Sequence, residues 1–190
     1  MRGMIRAALG AAAAVMVLAG CGGGGNLPER GQGSPVPLTF SIPLYDAQGN
    51  EVARATLVQA GRDTVHLTVD ATRLPAGTHG THLHETGRCE GPAFTTAGAH
   101  LNPLARKHGL RNPQGPHLGD LPNLVVGADG RGHMEANVLA TLRPGMPPIF
   151  DVDGTALVVH AAADDMMTDP SGNSGARIAC AVVATPSAGG

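Results

Sequence analysis

The sequence predicts an all-β fold, namely an eight-stranded antiparallel Greek-key β-sandwich or flattened barrel with two long functional loops. Three observations predict it: from Val36 onward apolar and polar residues alternate in short runs, turn residues bound these runs, and no segment has a persuasive helical pattern. Aromatic residues are only 2% of the chain and Trp is absent, so we expect an aliphatic core. The same scarcity argues against nucleic acid as a partner, because bases would find no aromatic set on which to stack.

The eight predicted strands follow one another along the chain, and turn sequences such as AQGN and GRD separate them. They are VPLTFSIPLYD, EVARATLVQA, TVHLTVDA, GTHGTHLHE, LPNLVVGA, RGHMEANVLA, TALVVHA and RIACAVVAT. Alternation assigns Val65, Leu67 and Val69 to the buried face of the third strand, and it assigns His66 to the solvent face. By the same argument His133 faces solvent on the sixth strand, so we expect neither histidine to bind a metal.

Two long connections interrupt the strands, one from about Thr86 to Leu118 and one between His160 and Arg177. Loops of this length inside a compact domain are usually functional or disordered. The first loop is rich in Gly and Pro and contains three histidines, so a bound ion is expected to replace secondary structure as its scaffold.

Residues 1–20 are predicted to be a bacterial lipoprotein signal peptide. The segment MRGMIR carries two arginines and precedes an apolar stretch that is too short to span a bilayer. That stretch ends in Leu18-Ala19-Gly20-Cys21, which resembles the lipobox in which the cysteine becomes the lipidated first residue. A secreted protein with an unmodified Cys21 is the alternative.

Residues 21–35 are predicted to be the lipidated Cys21 followed by a flexible tether, because glycine, proline and polar residues dominate them. Its random-coil span would be roughly 20 Å, and a disordered leader remnant is the alternative. Residues 36–190 are predicted to form one domain. This organisation predicts an exported lipoprotein of the bacterial cell envelope that faces the periplasm and contacts the membrane through its lipid only.

Seven of the nine histidines lie in five short clusters, HGTHLHE, AGAHLNP, KHG, PHLGD and LVVH. A strand directs residues two apart to one face, so His82 and His84 can approach one ion together. The remaining clusters supply single histidines from separate stretches, and Asp120 follows His117 by three residues. Imidazoles mixed with one carboxylate suit zinc or copper better than magnesium or calcium.

The order and local sequence of these clusters resemble those of the copper-zinc superoxide dismutases over roughly Pro35 to Val183. The resemblance implies four copper ligands, which are His82, His84, His100 and His160. It also implies four zinc ligands, which are His100, His108, His117 and Asp120, so that His100 bridges both ions and takes part in catalysis. Copper would oxidise one superoxide to dioxygen and reduce a second one to hydrogen peroxide.

The resemblance implies roles for residues around the ligands as well. After loss of Arg2 and Arg6 the chain has eleven basic and fifteen acidic residues, a formal charge of −4, so an anionic substrate needs a local positive charge. Arg177, in GNSGARIAC, matches the family's arginine that borders the copper channel and guides the anion.

Three further positions match the family's pattern. Asp164, in HAAADD, matches the carboxylate that bridges a copper-ligand histidine and a zinc-ligand histidine. Cys89 and Cys180 match the family's intramolecular disulfide, and a third cysteine consumed by lipid at Cys21 would leave these two as a pair.

Two other functions fit the same residues. A periplasmic copper- or zinc-buffering lipoprotein, or a copper-delivery module, could use these ligands without turnover, and a structural domain could retain zinc only. A storage site needs neither an anion guide nor a histidine shared by two ions, so Arg177 and His100 favour catalysis. The sequence predicts no oligomeric state.

Overall fold

The computed structural model of the chain describes residues 38–140, 149 and 153–183. Within them lie nine β-strands, which are β1 (Thr39–Asp46), β2 (Glu51–Gln59), β3 (Thr64–Ala71), β4 (Gly77–His79), β5 (Thr81–His84), β6 (Leu124–Val126), β7 (Gly132–Leu139), β8 (Thr155–His160) and β9 (Arg177–Val183). The described part contains one short 3-10 turn and no helix long and apolar enough to cross a membrane. The predicted signal peptide, Cys21 and the tether lie outside the described residues.

All nine described strands belong to one antiparallel sheet in the order β4-β6-β7-β3-β2-β1-β9-β8-β5. The two edge strands of this sheet, β4 and β5, are consecutive in the sequence, so the sheet curls into a nearly closed barrel. β3 and β4, like β7 and β8, follow each other in the sequence but are not neighbours in the sheet, as in a Greek key. The predicted fold class is confirmed.

The predicted fourth strand, GTHGTHLHE, is two strands that separate at Gly80. At Gly80 the backbone passes from the pairing of β4 with β6 to the pairing of β5 with β8. The Gly80 N–H donates to the Ala162 carbonyl at 2.8 Å, and the Gly80 carbonyl accepts from the His160 N–H at 2.8 Å. A Cβ at this position would lie 2.7 Å from the Cβ of Ser174, so only glycine allows the approach. This split accounts for the ninth strand.

The core is aliphatic and follows the predicted alternation. On β3, Val65, Leu67 and Val69 are at most 1% exposed, whereas His66 is half-buried and His133 on β7 is exposed. Six leucines of the strands are fully buried, and each contributes roughly 2 to 3 kcal/mol of hydrophobic stabilisation. They are Leu44, Leu57, Leu67, Leu83, Leu124 and Leu157.

Two long loops leave this barrel, residues 85–123 between β5 and β6 and residues 161–176 between β8 and β9. Cys89 in the first loop is bonded to Cys180 on β9, with Cα atoms 5.7 Å apart, which confirms the predicted disulfide. The bond closes a ring with a sequence separation of 91 residues. In the chain-entropy account a ring of that size stabilises the fold by about 4 to 5 kcal/mol.

Candidate metal centre

Four buried histidines converge on one face of the strand pair β5–β8. His82 and His84 lie two residues apart on β5, and His160 ends β8, which is paired with β5. His100 comes from the long loop and forms an isolated bridge with His84. Ligand nitrogens of these four side chains all lie within 4.8 Å of one another. We call this group the four-histidine cluster.

Hydrogen bonds fix which nitrogen of each ring faces the cluster. His84 Nδ1 donates to the Gly98 carbonyl at 3.0 Å and His160 Nδ1 donates to the Gly175 carbonyl at 3.1 Å. The Nε2 atoms of these two rings are therefore free of protons and lie 3.4 Å apart. A bound cation fits such facing lone pairs, because it satisfies both of them.

The other two rings of the cluster present buried nitrogens that lack hydrogen-bond partners among the described residues. These atoms are His82 Nδ1 and His100 Nε2. Buried polar atoms are almost always paired in folded proteins, so each unpaired one requires an explanation. A metal ion supplies it, and the donor set of four imidazoles suits copper or zinc.

A second group contains three histidines and one carboxylate, all from the loop of residues 85–123. Asp120 Oδ1 lies 3.0 Å from His108 Nδ1, 3.1 Å from His100 Nδ1 and 3.3 Å from His117 Nδ1. Ligand atoms around a tetrahedral zinc ion are separated by roughly 3.4 Å, as its bond lengths of about 2.0 to 2.1 Å require. These distances fit that ion, and we call the group the His–Asp cluster.

His82 also comes close to the His–Asp cluster, since its ligand atom lies within 4.8 Å of those of His100, His108 and Asp120. However, its Nε2 is hydrogen-bonded to Asp164 at 2.6 Å. Only Nδ1 of His82 is then left to bind an ion, so this ring can belong to one cluster only. His117 Nδ1 is buried, unpaired and 3.3 Å from Asp120 Oδ1, so His117 completes the His–Asp cluster.

The ring of His100 lies between the two clusters. Its Nδ1 faces the carboxylate of Asp120, and its Nε2 belongs with the four-histidine cluster. The ring centroids of His100 and His82 are 3.9 Å apart, and those of His100 and His117 are 5.6 Å apart. One imidazole can therefore serve two ions at once.

Asp164 ties the two clusters together from the other side. Its two carboxylate oxygens accept from His82 Nε2 at 2.6 Å and from His108 Nε2 at 3.0 Å, and the side chain is buried. Asn123 fixes its backbone, because the Asn123 side chain accepts from Asp164 N and donates to Asp164 O, both at 2.9 Å. The carboxylate thus orients one histidine of each cluster.

Burial sets the protonation of three rings of the four-histidine cluster, those of His82, His84 and His160. It lowers the pKa of His82 to about 4, even though Asp164 acts in the opposite direction, and it lowers the pKa of His160 to about 3. It also lowers the pKa of His84 to about 2. At neutral pH these rings are neutral, which is the form that binds metal.

Carboxylates set the protonation of His108 in the His–Asp cluster. Burial alone would lower the pKa of His108, but hydrogen bonds to Asp120 and Asp164 outweigh it and raise this pKa to about 9. Burial would raise the pKa of both carboxyl groups, but their bonds with histidines hold each pKa well below its ordinary value. Without an ion, His108 is an imidazolium between two carboxylates, and its proton occupies the place that a cation would take.

Arg177 stands at the mouth of the four-histidine cluster. Its guanidinium donates to the Phe94 carbonyl at 2.6 Å and to the Gly98 carbonyl at 2.5 Å, and the latter also accepts from His84. The side chain lines an open cleft of about 460 Å³ with Pro92, Ala93, Thr95, Gly175 and Ala176. A fixed positive charge therefore lies close enough to the four-histidine cluster to act on His84 and His160, whose pKa values it helps to lower.

The sequence analysis did not identify three residues that hold the ligands in place. His79 Nδ1 contacts the His160 carbonyl at 2.8 Å, Asn123 fixes Asp164, and Asp169 accepts from the His108 N–H at 2.8 Å. Each of these contacts involves a backbone group of the partner. A residue pattern carries no signal for such a contact, because it depends on where the fold brings a distant backbone segment.

Comparison with known proteins agrees with this class of buried, histidine-rich metal centre on an antiparallel barrel. The family model described as copper/zinc superoxide dismutase matches residues 52–183. A Cu-Zn superoxide dismutase of Aquifex aeolicus is 40% identical over 151 residues, which are 77% of this chain and 88% of that protein. The chain belongs to the copper/zinc superoxide dismutase family, as its motifs predicted.

Two further relatives cover most of the same region. A Cu-Zn superoxide dismutase of Caulobacter vibrioides is 40% identical over 139 residues, which are 71% of this chain and 79% of that protein. The crystal structure of a superoxide dismutase-like protein from Bacillus subtilis is 40% identical and superimposes with a TM-score of 0.70. That match covers 75% of this chain and 96% of the other.

Proposed function

We propose that this protein is a copper-zinc superoxide dismutase of the bacterial cell envelope, which converts superoxide into dioxygen and hydrogen peroxide. The observation that carries this proposal is the position of the His100 ring, with one nitrogen directed to each cluster. Family membership supports the same reaction. A protein that only buffers copper or zinc needs neither a shared ring nor the guanidinium of Arg177 at the mouth of the site.

The residues fit both ions. Copper would be held by His82 Nδ1, His84 Nε2, His100 Nε2 and His160 Nε2. Zinc would be held by His100 Nδ1, His108 Nδ1, His117 Nδ1 and Asp120 Oδ1. When bound, copper supplies one-electron redox chemistry, whereas zinc has no redox chemistry and orders the loop.

Arg177 attracts the anionic substrate. The domain's formal charge is negative, so the approach of an anion depends on a local positive field at the cleft. Two carbonyl groups hold the guanidinium in place, and neither cancels its charge. Lys107 makes no comparable contribution, because its ammonium is paired with Asp169 at 3.0 Å.

His100 moves the proton. Its Nδ1 stays with Asp120 and the loop, while its Nε2 has no hydrogen-bond partner in the described part of the chain. That nitrogen can therefore take up a proton when it is not bound to a metal and return it to the reduced substrate. The ring remains in place throughout, because its other nitrogen is held.

The activity is tested by loading the chain that lacks residues 1–21 with copper and zinc and comparing it with the variant His160→Ala. We expect superoxide removal to fall to the level of the metal-free chain in this variant, because one of four imidazoles is lost. The matched control is His133→Ala, an exposed histidine on β7, which should retain full activity. Unchanged activity in His160→Ala would mean that the copper assignment is wrong, and two bound metals without turnover would favour metal buffering.

Cellular location is the second part of the proposal: an exported lipoprotein, anchored through Cys21, with its domain in the periplasm. The Cys89–Cys180 bond supports it, because disulfides persist in oxidising compartments and this one leaves Cys21 as the remaining cysteine. We expect Cys21→Ser to move the protein from the membrane fraction to the soluble periplasmic fraction. Equal membrane association of both forms would contradict lipid anchoring at Cys21.

A further inference from the structure

An apolar groove of about 440 Å³ lies between the loop of residues 85–123 and strand β7. Three leucines line it and are also exposed, Leu104 by 66%, Leu110 by 42% and Leu139 by 68%. One exposed leucine is ordinary, but three around one groove form an apolar surface, which marks an interaction site in a soluble domain. We call these three side chains the leucine rim.

Basic residues lie among these leucines. The segment from Leu104 to Arg111, LARKHGLR, contains three basic residues and no acidic one, although the chain as a whole is negative. Arg106 donates to the Gly115 carbonyl at 3.1 Å, and Arg111 donates to the Asp165 carbonyl at 2.6 Å. Neither bond neutralises its guanidinium. Exposed leucines beside such cations suit the boundary of an anionic lipid bilayer.

The polypeptide enters the described domain at the same end of the barrel. The Leu38 carbonyl accepts from Gln59 N, at the end of β2, and Ala140 N donates to the Asp63 carbonyl, just before β3. The first residues of β1 and the last residue of β7, Leu139, therefore lie at one end of the sheet. Sixteen residues separate Cys21 from Leu38, so anchorage at Cys21 would hold this end of the sheet within reach of a bilayer.

From these observations we propose that the leucine rim, with Arg106 and Arg111, docks on an anionic lipid bilayer, which replaces the expectation that the lipid alone contacts the membrane. The inference rests on the proposed anchorage at Cys21, which would keep the rim close to the bilayer. A weak contact is enough for docking, because the lipid anchor holds the rim near the bilayer at a high effective concentration. The groove shares no lining residue with the cleft at Arg177, so docking leaves the path of the substrate open.

The experiment couples Cys21 chemically to a maleimide-bearing lipid, so its outcome does not depend on whether a cell lipidates that residue. The chain from Cys21 onward, loaded with copper and zinc, is attached to vesicles of phosphatidylethanolamine with phosphatidylglycerol. Because the chain has no Trp, single substitutions Leu104→Trp and Leu139→Trp report on their own surroundings. Quenching by a nitroxide on the lipid headgroup measures the distance of each indole from the bilayer.

The matched control is Val125→Trp. Val125 is 63% exposed, like the leucines, and it pairs with His133, six residues before Leu139 on β7 and so roughly 20 Å away. We expect much stronger quenching at positions 104 and 139 than at position 125. Arg106→Gln and Arg111→Gln should each lower the docked population about fivefold. Full dismutase activity of every variant would show that the domain is folded.

Two results would overturn docking. Equal quenching at the three positions would mean that the coupled domain has no preferred orientation toward the bilayer. Concentration-dependent dimers in sedimentation without vesicles, abolished by Leu139→Ser, would assign the rim to a second copy of the chain. A failure of anchorage in cells would be seen separately, as equal fractionation of the natural chain and Cys21→Ser, and a failure of the enzymatic proposal as absent superoxide removal.

Discussion

The two clusters of the metal centre are built on different scaffolds. The four-histidine cluster takes three of its side chains from β5 and β8, whose register is fixed by consecutive backbone pairs. The His–Asp cluster takes all four of its ligands from the loop of residues 85–123. A strand pair holds its side chains without an ion, whereas a loop needs contacts of its own to hold them. The redox site is therefore preformed, and the zinc site depends more on its ion.

Electrostatics follows the same division. Burial dominates at His82, His84 and His160 of the four-histidine cluster and keeps these three rings neutral. At His108 of the His–Asp cluster two carboxylates dominate, so this ring holds a proton when no ion is present. The Asp120 carboxylate also accepts from the backbone N–H groups of Gly109 and His117, at 2.8 and 2.9 Å, and so organises the loop. His108 should therefore respond to pH in the opposite direction from those three rings.

The largest expected effect is on the stability of the metal-free chain. The folded pKa of His82, about 4, is below its ordinary value of 6.5, so its contribution is present above pH 6.5 and lost as pH falls toward 4. The folded pKa of His108, about 9, is above 6.5, so its contribution is present below pH 6.5 and lost as pH rises through 9. Each group accounts for about 3 kcal/mol at the end of its range.

The measurement is the thermal midpoint, Tm, of the metal-free chain between pH 4 and pH 9, where we expect a maximum near pH 6.5. In His108→Gln we expect Tm to fall less steeply above pH 6.5. In His82→Gln we expect Tm to fall somewhat less steeply below pH 6.5. His133→Gln, at an exposed position, should alter neither side. If His108→Gln left the alkaline side as steep as before, the assigned imidazolium between two carboxylates would be wrong.

The contrast between the clusters also shows what the sequence can predict. Alternation placed Val65, Leu67 and Val69 inside the barrel, because a strand has only two faces. The resemblance of the histidine motifs to those of the family predicted which distant histidines would meet, and the structure brings all of them together. The division of GTHGTHLHE at Gly80 was not predicted, because it follows from two backbone hydrogen bonds across the closing barrel. His79 and Asn123 were missed for a similar reason, since each contacts a backbone group far away in the chain.

Asp164 links the two clusters, and removing its charge allows the metal affinities of the two clusters to be compared in one variant. In Asp164→Asn we expect zinc affinity to fall about tenfold to a hundredfold, the range typical of a carboxylate that orients a ligand histidine. Copper affinity should fall less, because the backbone ladder of β5 holds His82, whereas His108 lies on the loop and loses one of two carboxylate partners. Competition with a chelator measures both affinities on the same sample.

The neighbouring variant Asp165→Asn serves as the control for Asp164→Asn. Asp165 is half-buried and contacts neither cluster: it accepts from the backbone of Met167 and Thr168 within its own loop, so its loss should leave both affinities unchanged. Unchanged zinc affinity in Asp164→Asn would remove this residue from the centre. An equal loss of both metals would show instead that the strand register does not hold His82 independently, and the distinction between a preformed site and an ion-dependent one would then fail.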